Sequence, residues 1–345
     1  MYERKISVVM TVYNSEKYVS ESIESVLNQS FSDFELIIVD DGSTDHSLDI
    51  IRRYQDDRIK LLINDRNSGI CYSSNRGIAE ATGEYIARID SDDICHRERF
   101  KKQVDFLDAN TDIFMCATWR NLLYEDGKLV ESNERITKNN EIGYMLLFGN
   151  SMITHSTVMF RREQYERAGY SYERFIQAHD YKLWTQFIVD DKKIEIIPEV
   201  LLDYRLNDSG ITATNTQARN KKEADTIKHE YIEAMGVDTK TREALGKNID
   251  GVPIAQYYQD FELAVVEWAR MFYSEYQDIG TDGYEAISNV LWKNITSQKL
   301  FSLHLLKTYC SSRYTNNRRL FTTIEGVKVI IKCLIGRNGI NEGVE

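Results

Sequence analysis

Residues 6–14 read Ile-Ser-Val-Val-Met-Thr-Val-Tyr-Asn, an apolar, β-favouring run that stops abruptly in polar residues. Similar runs follow at 34–39, 59–63 and 85–89, and a segment with helical spacing separates each from the next. The first such segment places Tyr18, Val19, Ser22, Ile23, Val26 and Leu27 on one face, and the second does the same with Leu48, Ile51 and Tyr54. The third runs from about Tyr72 to Ala81 and ends at Gly83. The order is therefore β-α-β-α-β-α-β. Strands that alternate with crossover helices form a mainly parallel sheet flanked by helices on both faces, and ligands bind outside the carboxyl ends of such strands.

Those ends carry the chemistry. Strand one exits into Thr11-Val12-Tyr13-Asn14, strand two into Asp40-Asp41-Gly42-Ser43-Thr44-Asp45, and strand four into Asp90-Ser91-Asp92-Asp93. Each cluster alone reads as a turn with helix-capping residues. Together they crowd carboxylates at one sheet edge, which is unfavourable unless a cation, hydrogen-bond donors or a ligand compensate. A divalent metal with a diphosphate is the natural compensator. Asp90 and Asp92, two apart, project to one side at the end of a strand, where carboxylate oxygens suit Mn2+ or Mg2+.

Beyond this half, residues 101 to 210 mix helix (Phe100, Val104, Leu107) with strand (113–118, 195–197), as an α+β extension of the sheet. After Asn220 the pattern is helical, with Tyr257, Phe261, Ala264, Val265, Trp268 and Phe272 recurring at three and four residues, then Ile287, Val290 and Leu291. The expected division is a nucleotide-binding half at 1–100, an acceptor-binding half at 101–215 and a helical region with a basic tail at 216–345.

Composition narrows the function. The 345 residues are 42% hydrophobic, enough for a sizeable core. The net charge of −11 excludes a general nucleic-acid binder, which needs clustered cations. Five widely spaced cysteines (Cys71, Cys95, Cys116, Cys310, Cys333) form no C-x-x-C pair or zinc pattern and fit free thiols in a reducing cytoplasm. There is no run of about 18 apolar residues and no charged segment leading to a cleavage site, so neither a membrane span nor a signal peptide is expected. Between Lys299 and Arg337 eight Lys or Arg face one acid, Glu325. That tail reads either as a packed helical subdomain with a solvated charged face, or as a contact with the inner membrane face or a second subunit.

With its clusters in view, the chain resembles the family 2 glycosyltransferases of the GT-A fold over about residues 4 to 210. The resemblance rests on 6–14, on V-D-D-G-S-T-D (39–45), N-S-G-I (67–70), G-E-Y-I-A-R-I-D-S-D-D (83–93), and H-D-Y-K-L-W (179–184) followed by Y-R (204–205). It implies an inverting transfer of sugar from a nucleotide-sugar, by default a UDP-sugar, to an acceptor hydroxyl on a glycan or lipid-linked intermediate. By that resemblance Thr11, Tyr13 and Asn14 lie at the nucleotide, Asp41 accepts from the base ring, Asp90 faces the ribose, and Asp92 holds the metal on the diphosphate. Asn67 sits in a turn beside the donor. Asp180 is the implied general base, and His155, His179 and Trp184 fall where the acceptor cleft is lined.

Three departures stand out. His179 precedes Asp180 where the family more often has Glu, Asn207 stands where many relatives place a metal-completing His, and in Ser74-Asn75-Arg76-Gly77 the Arg is displaced. A sugar-1-phosphate nucleotidyltransferase would need a Gly-rich, Arg-containing loop after strand one, and a nicotinamide enzyme G-x-G-x-x-G there. Tyr13-Asn14-Ser15-Glu16 offers neither. A catalytically silent GT-A-fold binder or scaffold is the alternative of a different class.

Overall fold

The structure is a computed structural model describing residues 2–131, 136–149, 153–173, 178–207, 217–252, 257–273, 286, 287 and 289–291. The chain divides into two compact units, 1–142 with 149–227, and 143–148 with 228–345. In the first, β1 (Arg4–Val12), β2 (Phe34–Asp40), β3 (Ile59–Ile63) and β4 (Gly83–Asp90) form a parallel sheet in the order β3-β2-β1-β4. The connecting helices are α1 (Val19–Leu27), α2 (Ser47–Ile51) and α3 (Ile70–Ala79).

The continuous apolar reading of β1 has a direct cause: both faces are covered. Ile6, Val8, Met10 and Val12 join Val19, Ile23 and Val26 of α1 in one core cluster. Val9, pointing the other way, meets α3 so closely that a Cβ on Gly77 would lie 2.5 Å from it. Register carries this alternation across the sheet, since Thr11 pairs with Val39 and Asp90, and Val9 with Arg88. Arg88 and Asp90 therefore share the α3 face.

Past β4 the sheet turns mixed. β8 (Met159–Arg161) pairs antiparallel with both β4 and β6 (Ile113–Leu123), while β9 (Lys193–Arg205) runs parallel to β6 through three register shifts. Two short strands, β5 (Ile94–Cys95) on β9 and β7 (Leu129–Glu131) on β6, complete nine. The parallel order read from the sequence holds for β1 to β4, and antiparallel pairs are the rule in the second half apart from β6–β9. Around this half lie α4 (Arg99–Ala109), a 3-10 turn (His155–Thr157), α6 (Arg162–Ala168) and α7 (His179–Val189). Between them, α5 (Asn139–Leu146) leads into the second unit and α8 (Gln217–Ala234) follows β9 into it.

The second unit is helical, with α9 (Thr239–Ile249) and α10 (Tyr258–Tyr273). Asp238 caps α9 by accepting from the amides of Lys240 and Thr241. The apolar stripe expected over 257–272 is buried at Phe261, Ala264, Val265 and Trp268, and the Trp268 indole donates to the Tyr144 carbonyl at 3.0 Å. Among the described residues no helix is long and apolar enough to cross a membrane. The basic tail, 299–337, lies outside the described residues.

Gly42 is held by shape as well as by conformation. Its φ is +69°, and a Cβ there would sit 2.6 Å from the Arg66 carbonyl carbon and 2.9 Å from the Asn67 nitrogen. Left-handed backbone alone costs a non-glycine residue about 1–2 kcal/mol, and a clash with main chain cannot swing away. Gly42→Ala is expected to lower unfolding free energy by more than about 2 kcal/mol in urea titration. A loss below about 1 kcal/mol would show that the 66–67 segment simply yields.

Candidate active site

The loops leaving β1, β2 and β4 are stitched together by side chains that accept main-chain hydrogens. Asn14, in left-handed backbone at φ 51°, accepts through Oδ1 from the Thr44 amide at 2.8 Å, while its own amide donates to Ser43 Oγ. Glu16 and Asp45 exchange favours: the Glu16 amide donates to Asp45 at 3.0 Å and Glu16 accepts from the His46 amide at 2.9 Å. Asp45 also holds the Ser47 amide at the start of α2. Ser15 and Ser91 hydroxyls meet at 2.7 Å, joining the β1 loop to the acidic loop after β4. Asn14, expected at the nucleotide, thus has its side-chain oxygen engaged in holding two loops together. Tyr13 beside it is exposed.

Asp41 is buried and grips the β3–α3 turn. Its carboxylate accepts from the amides of Ser68 (2.9 Å) and Gly69 (2.8 Å) and from the Asn64 side-chain amide (2.6 Å). Gly69 suits this, since its φ of +92° with ψ of 155° is a conformation essentially reserved for glycine. Arg76, the displaced arginine, donates to the Asn64 side-chain oxygen and to the Ile63 carbonyl, so it supports Asp41 through Asn64. Asn67 is exposed and closes the turn by accepting from the Gly69 amide at 3.1 Å.

Beyond β4, Asp90, Asp92 and Asp93 crowd together, and the chain settles each differently. Burial works to raise Asp90, yet His155, with Arg88 and His179, outweighs it and holds the carboxyl well below the usual range. His155 Nδ1 lies 3.3 Å from Asp90 Oδ1, and the Asp90 amide donates to Ser156 Oγ at 3.0 Å. Asp92 is pushed up to about 6 by burial and the neighbouring Asp90 charge, which outweigh the Asn207 side-chain amide at 3.4 Å, its own backbone amide and the Arg205 charge. Asp93, fully buried, is raised well above the usual range by burial and both neighbours. Arg205 ties this loop down. Its amide donates to Asp93 Oδ1 and its Nε to the Asp92 carbonyl, and its guanidinium reaches Glu21 over the Tyr18 ring.

The residues expected to line an acceptor cleft gather against Asp90. His155 and His179 are buried with ring centroids 5.3 Å apart, and Trp184, fully buried, lies 6.5 Å from His155 and packs on Phe187. Trp184 thus supports the site from behind. Asp180, half-buried in the first turn of α7, follows His179 and accepts from the Tyr181 amide at 2.7 Å. The structure therefore brings Asp90, the β-sheet neighbour of Thr11, next to His155, whose ring meets His179 at the start of α7. Sequence reading missed Asn64, Arg88, Ser156 and Tyr172. A charge inside the apolar run Tyr85 to Ile89 is the one signal that pointed to Arg88.

A parallel sheet half, an acidic loop at its carboxyl edge and a mixed second half define a nucleotide-sugar transferase fold of the GT-A type. In keeping with this, the TarS protein of S. aureus (residues 1–349, solved with UDP-GlcNAc) superposes with a TM-score of 0.60 at 16% identity, covering 85% of this chain and 86% of that one. The mannosyltransferase PcManGT of Pyrobaculum calidifontis, solved with GDP-Man and Mn2+, gives 0.54 at 17% identity over 99% and 89%. The sequence model of glycosyl transferase family 2 matches residues 7–169. An uncharacterized glycosyltransferase of Methanocaldococcus jannaschii is 37% identical over 58% of this chain and 70% of its own length. The E. coli UDP-Glc:alpha-D-GlcNAc-diphosphoundecaprenol beta-1,3-glucosyltransferase WfgD is 30% identical over 60% and 79%. The chain belongs to glycosyl transferase family 2 and is a glycosyltransferase.

The crowding has a measurable consequence. An acid whose folded pKa is raised binds more protons folded than unfolded between its two pKa values, so stability falls as pH rises through that window. For Asp92 the window runs from the ordinary 3.8 of an aspartate to about 6. Asp92→Asn is expected to raise the melting temperature of the metal-free protein at pH 7 by a few degrees, with little gain at pH 4. An equal shift at both pH values would show that the carboxyl is not strained.

Proposed function

We propose that this protein is an inverting, metal-dependent glycosyltransferase that takes sugar from a UDP-sugar and places it on a hydroxyl of a lipid-linked or polysaccharide acceptor. One observation carries the reading: Asp90, in the acidic loop it shares with Asp92 at the carboxyl edge of β4, lies beside His155, whose ring meets His179 at the start of α7, where Asp180 stands. Residues 1–100 then serve the donor and 101–215 the acceptor.

The carboxylates suit a divalent ion. Asp92 is held above its ordinary range by burial and by Asp90, so a nearby cation relieves what the protein alone leaves uncompensated. Among the described residues no group of three His, Cys, Asp or Glu is arranged to hold a metal. Asn207 presents an amide donor to Asp92 rather than another ligand. The ion would therefore be held by Asp92 together with the donor's diphosphate, where it would neutralise phosphate charge and stabilise the leaving group. Mn2+ and Mg2+ both suit carboxylate and phosphate oxygens.

The remaining work falls to the chain. Tyr13 offers an exposed ring where β1 ends, and Asp90 faces the ribose. Asp180 takes the proton from the acceptor hydroxyl as its oxygen attacks the anomeric carbon. The bond from that carbon to the diphosphate breaks on the opposite side, so the configuration inverts. UDP is the carrier best supported, being named for both the TarS complex and WfgD. The name of WfgD also supports a diphospholipid-linked acceptor.

A positioned base is worth roughly two to four powers of ten on an alcohol nucleophile. Asp180→Asn is expected to lower kcat by about that much while UDP and Mn2+ affinities by calorimetry stay near wild type. Asp92→Ala should lose metal-dependent UDP binding as well as transfer. Near-normal transfer by Asp180→Asn, or a product that keeps the donor's anomeric configuration, would put the base elsewhere. A wild-type protein that binds UDP yet neither transfers nor hydrolyses any of a donor panel would be a binder on this fold.

A further inference from the structure

The acidic loop that leaves β4 runs into β5, which is two residues long, with Ile94 opposite Asp203 and Cys95 opposite Leu202 of β9. Side chains strengthen this short join. His96 Nε2 lies 2.9 Å from Asp203 Oδ1, and the Asn121 side-chain amide donates to the same oxygen at 2.7 Å. The His96 main chain is fixed too, its amide donating to the Leu201 carbonyl at 3.0 Å and its carbonyl accepting from the Gln29 side chain at 2.8 Å. Two residues beyond Asp203 on β9, Arg205 gives its amide to Asp93 Oδ1 and its Nε to the Asp92 carbonyl.

Asp203 is the charged group that acts on the His96 ring, and the ring also meets the Val200 backbone carbonyl. A carboxylate and a carbonyl both accept, so the ring favours the cation, which carries a proton on each nitrogen. The contact with Asp203 accordingly holds His96 above its ordinary value, against the half-burial that works to lower it. Burial works to raise Asp203, but His96, Asn121 and the nearby Arg205 charge outweigh it and keep the carboxylate charged. Ser25 of α1, which accepts from the Cys95 amide, and Gln29 and Asn121 also reach this junction, and none of the three titrates.

We infer that His96 is a positioning residue for the donor site: as a cation it latches the end of the acidic loop to Asp203 on β9, the strand whose Arg205 holds the main chain of that loop. This rests on the reading of the loop as the place of the nucleoside diphosphate and its divalent ion, and adds pH control to it. With the folded value of His96 raised, the latch is complete below the ordinary 6.5 of a histidine and is lost as pH rises through the raised value. Beyond that point the ion pair is gone, and one N–H is left for two acceptors. His96 acts through the loop and touches no reacting atom.

The test separates positioning from packing. In His96→Gln the side chain can still donate to Asp203 but cannot become charged. A partly exposed ion pair shifts an equilibrium by up to about fivefold. By calorimetry with Mg2+, the UDP dissociation constant at pH 6 should therefore be about two- to fivefold lower for wild type than for His96→Gln, and the two should converge by pH 9. Titration of UDP itself and of Asp92 cancels in that ratio. Coupling is reciprocal, so for a threefold preference UDP with Mg2+ should raise the His96 pKa by about half a pH unit. This is read from 1H–13C spectra of the six histidines, with His96 assigned by its loss in the Gln variant. In Asp203→Asn the His96 pKa should fall back toward its ordinary value. A His96 that titrates at or below that value in wild type, a pKa unmoved by UDP and Mg2+, or a wild-type to Gln ratio equal at both pH values overturns the inference, the last being the result of packing alone. Should His96→Gln not fold, the wild-type spectra and Asp203→Asn decide. A wild-type protein that binds no UDP at either pH would instead sink the donor reading, while the spectra would still report whether Asp203 holds the His96 cation.

Discussion

Three carboxylates within four residues, Asp90 to Asp93, at the end of a buried strand set the terms for everything near them. Carboxylates so placed repel one another and lose water, and either effect alone would raise their pKa values. The chain keeps Asp90 charged with His155, Arg88 and His179, while burial and the neighbouring charges push up both the fully buried Asp93 and Asp92, the latter to about 6. Arg205 reaches from β9 to hold the loop's main chain, so the second half of the sheet stabilises the acidic edge of the first. The surroundings thus divide the three acids: one is held in its charged form and two are pushed toward the protonated form.

A common device supports Asp41 and Asp90. Arg76 reaches Asp41 through the Asn64 amide, and Arg88 reaches Asp90 through the His155 ring. In both cases a side chain stands between guanidinium and carboxylate, an amide hydrogen-bonded to both at Asp41 and an imidazole 3.3 Å from the carboxylate at Asp90. A direct arginine pair would occupy the carboxylate with two parallel hydrogen bonds and leave little for a ligand. The intermediate keeps the orientation and spares the oxygens. Helix α3 builds much of this from three consecutive residues, since Ser74 receives Arg88, Asn75 clasps Tyr172 and Arg76 holds Asn64. The triplet that departs from the family pattern has its side chains committed to the scaffold, and Arg76 in particular is directed at Asn64 and the Ile63 carbonyl.

The parallel half was legible because its physics is local. Both faces of β1, β2 and β4 are covered, so the strands read as unbroken apolar runs, and α1 shows its buried stripe at Val19, Ile23 and Val26. The acidic loop was legible because such crowding needs a purpose. β8 and β5 were not, being three and two residues long and held by partners far away in sequence. Asn14 and Asp41 stand out in the sequence as candidate site residues, but their hydrogen bonds to Thr44 and to the 64–69 turn depend on loops that meet only in the fold. His155 was noticed, and its contact with Asp90 could not be read from a separation of 65 positions.

The departure at His179 follows from the same electrostatics. Its ring lies 5.3 Å from His155 and 5.7 Å from Tyr172, and it is among the groups that hold Asp90 down. A glutamate at that position would bring another negative charge toward an edge already crowded by three acids, and would work against the charged form of Asp90. With histidine there, the start of α7 presents one carboxylate, Asp180, beside a ring that favours the Asp90 charge instead of opposing it. The acid retained at 180 and the acid absent at 179 thus act in the same direction, leaving a single carboxylate at the start of α7 and withholding a second one from the crowded edge at Asp90.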